Sequence, residues 1–287
     1  MSADTTPGPP FPGRRWRSTG WVLPAVVLVV VVVGGGLGTA LLQSLGLMPL
    51  VGAPELSVAA YTAHPEDLLT STALTLAIAA AATSLAAAIG LAAGLSVLSG
   101  RRATVMAASV TVTVPHLIGA ATMDLLLADS GVLPRLMGLT GGGWPALVGG
   151  RWWIAVVAEY AWKESAFIAL VVAGTLATRV TGYDETAATL GARRWARLRL
   201  VTLPLVRPAL IASAAISFAY TVGSYEVARI LGRAYPEPLP VMAVRLFTSI
   251  DLAVRPEAAA VAVTTTAVAL VVAAASLMML RRSAAWR

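Results

Sequence analysis

The sequence predicts an all-α polytopic membrane protein with six transmembrane helices. Three observations carry that expectation. Hydrophobic residues make up 57% of the 287 and charged residues only 12%, with a mean hydropathy of +0.79; a soluble domain carries about 25% charged residues. Six apolar segments reach the roughly 20 residues a spanning helix needs. Arginines cluster between those segments with a bias to one side.

The segments run over 21–45, 70–98, 104–127, 152–178, 207–231 and 257–280. The first, Val-rich and uniformly bulky, reads as a peripheral helix facing lipid. The second is dense in Ala, Gly, Ser and Thr, residues that let helix backbones approach closely in lipid, and reads as central. With the N-terminus inside, the inner segments hold 14 arginines and the outer ones 6. That bias places both termini in the cytoplasm and the segment 179–206 with them. Residues 1–20, Pro- and Gly-rich up to residue 13, read as a disordered cytoplasmic tail, and 281–287 as a second tail. No A-x-A site closes the first apolar run, so it is expected to stay as an uncleaved helix. The net charge of +7 follows from these flanking arginines and calls for membrane lipid rather than nucleic acid as a partner.

Residues 181–208 form the one elaborate polar segment. Thr181, with Asp184 three positions on, suggests a capping box. Glu185, Ala187 and Ala188 follow on the first turn, where acidic residues suit the helix dipole. Gly191 permits a chain reversal. Arg193, Arg194, Arg197 and Arg199 make the next helix basic, with Trp195, Leu198 and Leu200 as its apolar side. Pro204 and Pro208 are expected to break it before the fifth span. On the residues alone, an amphipathic helix on anionic lipid is an open alternative.

This segment resembles the EAA loop of the permease subunits of binding-protein-dependent ABC importers, the MetI-like family. Glu185, Ala187, Gly191, Val201, Leu203 and Pro204 match its motif in order and spacing; Thr186 departs from the motif's first alanine. The resemblance extends over residues 70–280. It implies a five-helix permease core, here with an added N-terminal helix, and a cytoplasmic coupling helix. It also implies the partners: an ABC ATPase dimer, a second permease subunit (identical or related), and an extracytoplasmic solute-binding protein. The coupling residues it implies are Glu185, Ala187, Ala188, Gly191, Leu203 and Pro204, with Glu185 meeting a basic side chain of the ATPase. The stretch 223–263 resembles members that handle polyamines, thiamine or ferric iron.

The chain has a single lysine, Lys163, preceded by Trp162 and followed by Glu164, so the P-loop G-x-x-x-x-G-K-[ST] is absent. ATP and Mg are expected on the partner, and this chain is expected to be no enzyme and to bind no cofactor. Two distant histidines, His64 and His116, and no cysteine give no metal site. Charged residues inside spans are costly. Asp124, Glu159, Lys163, Tyr225 and Glu226 are therefore candidates for the translocation pathway, placed by residue counting in the outer part of the bilayer. Glu159 and Lys163, one turn apart, can pair. Pro236, Pro238 and Pro240 should stiffen an outer loop. The rival classes are an ion-coupled secondary transporter, which usually carries internal repeats not evident here, and an intramembrane enzyme.

Overall fold

A computed structural model describes residues 22–139 and 142–284; the whole of the N-terminal tail and the last three residues lie outside them. Its principal helices are α1 Leu23–Ser44, α2 Pro65–Leu95, α3 Arg102–Thr113, α4 His116–Leu127, α5 Ile154–Thr175, α6 Thr181–Thr189, α7 Arg194–Gly223, α8 Glu226–Leu231, α9 Leu239–Phe247 and α10 Arg255–Ala284. No strand occurs among the described residues.

The α2–α5 pair is the centre. The buried face of α2 is Ser71, Thr75, Ile78, Ala79, Ala82, Thr83, Ala86, Gly90 and Gly94, small residues apart from Ile78. A Cβ on Gly90 would stand 2.7 Å from Ile168 Cβ, and one on Gly94 2.7 Å from Val172 Cβ. In lipid no hydrophobic drive separates one apolar surface from another, so close van der Waals packing of this kind holds the pair. Ile168, Val172 and Leu176 of the α5 side and Val206 of α7 fill the same layer. The central role expected for the second span follows from this geometry.

Helix α1 is peripheral, as its uniform bulk suggests. Val29–Val32 are all more than half exposed, and only Ser44 is buried. Its C-terminal half, Gly35–Ser44, lies on α10.

Two expected spans are not continuous. The third breaks at Val114–Pro115, both extended, because proline donates no hydrogen bond and pushes its predecessor out of the helical region. The halves still follow α5 in antiparallel order: Ala108 clusters with Ala166 and Ala169, Thr111 meets Lys163, His116 meets Glu159, and Ala120 clusters with Val156. They are one span interrupted midway, with 12 residues on each side. The fifth ends at Gly223, not at 231; Ser224 is extended, and α8 starts a new direction packed on α4 and α5.

Among the described residues five helical stretches are long and apolar enough to cross a membrane, one of them α4 with its continuation, His116–Leu136. Helix α5 joins them only when taken with α6 beyond a 58° bend, because Glu159, Lys163 and Glu164 interrupt its apolar surface. The stretch between α8 and α10 is not a simple outer loop. Leu239, Pro240, Val241, Met242 and Leu246 of α9 are buried, and the Leu239 N–H donates to Thr75 Oγ1 at 2.8 Å. Glu237, also buried, accepts from Arg245 Nε at 2.6 Å.

Candidate coupling and translocation sites

Helix α6 leaves the bundle end at the 58° bend. Val180 occupies its N-cap without a side-chain cap bond, because a π-turn, Leu176–Val180, delivers the chain from α5 already helical. The capping box expected at Thr181 falls on a side chain outside those described. The C-terminus matches the sequence reading. Gly191 has φ +78°; its N–H donates to the Ala188 carbonyl at 3.0 Å, and the Ala192 N–H to Ala187 at 3.0 Å. This is a Schellman turn, and the left-handed residue it needs is normally glycine. A Cβ there would meet open space, so backbone conformation, not crowding, requires the glycine.

Beyond the turn the chain re-enters the bundle as α7. The expected helix break at Pro204 and Pro208 does not occur: the helix continues to Gly223. A π-turn over Leu198–Thr202 widens the backbone just before Leu203 and Pro204, where a missing N–H does least harm. Arg197 Nη1 lies 3.4 Å from Asp184 Oδ2 and ties the two legs of the hairpin. Glu185 and Ala188 are exposed and Ala187 half-buried. Around them Tyr183, Leu190, Trp195 and Leu200 are 64–83% exposed. The apolar side of the basic helix thus faces away from the bundle and carries an uncovered apolar surface.

The second constellation sits at the interruption between α3 and α4. Breaking a helix frees its last carbonyls. Lys163, reaching across from α5, donates to the carbonyls of Thr111 (2.7 Å) and Val114. His116, the first residue of α4, places Nδ1 3.2 Å from Glu159 Oε1 and Nε2 3.4 Å from Glu164 Oε1. Its ring stands 4.7 Å from that of Tyr220 on α7. Gly119 permits the approach of Glu159, since a Cβ there would lie 2.7 Å from Glu159 Oε1. Glu159, Lys163 and Glu164 are all buried. A cavity of about 360 Å³ opens on Thr113, Val114, His116, Lys163, Glu164 and Tyr220.

The expected pairing of Glu159 with Lys163 is replaced by bonds to other helices: the lysine takes the freed carbonyls and the glutamate takes His116. Of the five pathway candidates, Glu159 and Lys163 meet in this cluster. Asp124 is eight residues further along α4, about 12 Å by helical rise. Tyr225 packs against the apolar cluster of Val156 and Val227, and Glu226 opens α8 exposed. The cluster lies at mid-span of the third helix rather than in its outer part. His116 and Glu164 were not among the sequence candidates for the pathway. Pro115 was the available signal for both, since it marks where backbone groups need new partners.

The profile of a family described as "Binding-protein-dependent transport system inner membrane component" matches residues 86–284. The chain belongs to that family. Among curated relatives, the chain is 29% identical over 110 residues to the sulfate transport system permease protein CysT of Escherichia coli (strain K12), a match covering 38% of this chain and 40% of that one. It is 37% identical over 67 residues to the molybdenum transport system permease protein ModB of Azotobacter vinelandii, covering 23% and 30%. The chain thus spans less than half the length of these relatives. The fold is that of a chain of a bacterial ABC transporter involved in the import of alginate, with TM-score 0.72, 18% identity and coverage of 94% and 96%. A chain of the MetNI methionine ABC transporter also matches, at TM-score 0.61 and 18% identity, covering 77% and 98%.

Proposed function

We propose that this inner membrane component is the permease subunit of an ATP-driven importer, forming half of a translocation pathway and docking an ATPase through α6. The observation that carries this reading is the exposed hairpin of α6 and the start of α7. It combines Glu185, the Schellman turn at Gly191 and the ion pair Asp184–Arg197 with an uncovered apolar surface, on a chain whose only lysine is occupied inside the bundle. ATP and Mg then belong to the partner ATPase dimer. Closure of that dimer moves two coupling helices together and switches the two permease subunits between inward- and outward-facing forms. In this reading both termini and α6 are cytoplasmic, and an extracytoplasmic binding protein delivers the solute at the opposite end. The interrupted third span, with His116, Lys163 and Glu164 on its cavity, lines the route.

For the solute, the relatives are named for sulfate and molybdenum transport and for 2-aminoethylphosphonate transport. Those names support a small oxyanion-type solute over the polyamine, thiamine or ferric iron type suggested by residues 223–263.

Affinity capture of the intact chain from mild detergent, with Glu185→Arg and Gly191→Trp variants alongside, tests the docking. An ATPase subunit recovered with wild type and lost from both folded variants supports it. Equal recovery from all three sinks it. The rival, ion-coupled secondary transport, would use the His116 cluster as its coupling site. Uptake into proteoliposomes that follows an imposed proton gradient and ignores internal ATP would establish that rival instead.

A further inference from the structure

A second cavity, of about 510 Å³, lies far from the proposed pathway, where α1 crosses α9 and α10. Its walls grade from polar to apolar. At one end are Gln43, at the last turn of α1, and Arg255, at the first turn of α10; deeper lie Gly36, Ala259 and Ala262. Gln43 and Gly36 are seven residues apart, about 10 Å of helix. The guanidinium of Arg255 is stacked 4.2 Å over the Phe247 ring. Its Nε is buried with no hydrogen-bond partner, and no carboxylate pairs with it among the described residues. A buried, unpaired donor on a cation calls for an anionic acceptor.

The glycines of α1 point the same way. Gly34, Gly35, Gly36 and Gly38 would each carry a Cβ into open space. Close helix contact within this chain therefore does not explain them, although glycine is a poor helix residue. Gly36, the one of them that lines the cavity, keeps the groove open beside a cation.

We propose that this groove holds one phospholipid, its phosphate on Arg255 and Gln43 and the first part of an acyl chain along Gly36, Ala259 and Ala262. The lone cation gives a preference for anionic headgroups. The occupant is a lipid rather than a soluble phosphate because the apolar wall continues away from the charge. The bound lipid would pin α1, which touches the bundle only through its second half, to α10. This inference rests on the groove alone and is independent of the transport reading.

The test uses the full-length protein in detergent, with phosphatidylglycerol added and retention read by native mass spectrometry beside thermal unfolding. Wild type should retain the lipid and unfold at higher temperature. Arg255→Gln should weaken retention about tenfold, the loss of one charge-assisted contact. Gly36→Leu, whose Cβ enters open space, should block the groove while the protein stays folded. Inorganic phosphate should reproduce neither effect. Retention unchanged in both variants would overturn the proposal, and so would stabilisation by inorganic phosphate equal to that by the lipid.

Discussion

Lys163→Met tests what holds the interrupted third span together. The ammonium is buried and donates to the carbonyls of Thr111 and Val114; the break at Pro115 removes their usual helical partners, and Thr111 keeps only a bond from the Val114 N–H at 3.2 Å. Methionine is close in length and apolar, so it keeps the volume and removes the donors. The Val114 carbonyl left bare costs about 1–3 kcal/mol, and the Thr111 carbonyl less, because it keeps its backbone donor. Against this, the variant no longer has to desolvate an ammonium, a term of several kcal/mol that the buried pairing only partly returns. It also leaves Glu159 and Glu164 facing His116 with one cation fewer. The net destabilisation is about 3 kcal/mol, at the low end of the range for removing one member of a buried charged network. The assay is thermal unfolding of the purified protein in one detergent, followed by the intrinsic fluorescence of its 8 tryptophans, with Lys163→Arg as the variant that keeps donors and charge. A melting temperature several degrees below wild type for Met, largely restored in Arg, is expected. A Met variant as stable as wild type would refute the capping role. Solute uptake, measured separately on the folded variants, then isolates the pathway role: full uptake by the Met variant would remove Lys163 from the route.

Two further outcomes follow. Gly90→Ala places a Cβ 2.7 Å from Ile168 Cβ and 2.8 Å from the Ser165 carbonyl, so it should cost about 1–3 kcal/mol as an overpacked contact. Gly35→Ala, in open space, should be neutral or stabilise by up to about 1 kcal/mol through helix propensity; equal melting temperatures for the pair would contradict the close α2–α5 packing. At the other end of the bundle, the Tyr235 hydroxyl donates to Asp67 Oδ1 at 2.9 Å, and that carboxylate holds the phenol above its ordinary value. A raised folded value means the bond is intact below the ordinary tyrosine range and is lost only as pH rises through the raised one. Ultraviolet titration should show Tyr235 ionising late, with Asp67→Asn bringing it back; an unmoved titration in Asp67→Asn refutes the assignment.

How far the sequence carried depends on where each constraint originates. The peripheral first helix and the small-residue face of the second were legible because composition along one helix decides them. Gly191 was legible because a left-handed turn residue is a local requirement. The exchange of partners at Lys163 was not, since the carbonyls it takes lie 49 and 52 residues away and become available only through the break. Pro115 signalled that break, but the apolar run on both sides concealed it. The break at Ser224 follows only a glycine, Gly223, a weak signal inside an apolar segment. The π-turns left no local signal at all, and without them Pro204 read as a stop.

The placement of those π-turns bears on how the two sites communicate. One, Leu176–Val180, joins α5 to α6, and the other, Leu198–Thr202, sits between the hairpin and the body of α7. The α6 hairpin, the proposed coupling element, is thus attached at both ends through widened turns, and the two turns touch each other. Helix α5 continues from the first of them, locked against α2 at Gly90 and Gly94, to Lys163 and Glu159 at the interrupted span. Helix α7 continues from the second to Tyr220, against the His116 ring. A displacement of α6 therefore reaches the cluster along two continuous helices that meet it from different sides. The tight α2–α5 contact leaves α5 little freedom to slide, which makes tilting of α7 against α5 the softer coordinate. Since the chain has no cysteine, cysteine pairs introduced at Gly174 and Ile216, and at Gly174 and Leu85, all exposed, can carry unique distance labels on α5, α7 and α2. A Gly174–Ile216 separation that stays fixed while Gly174–Leu85 changes as α6 is displaced would assign the motion to α5 and reverse this ordering.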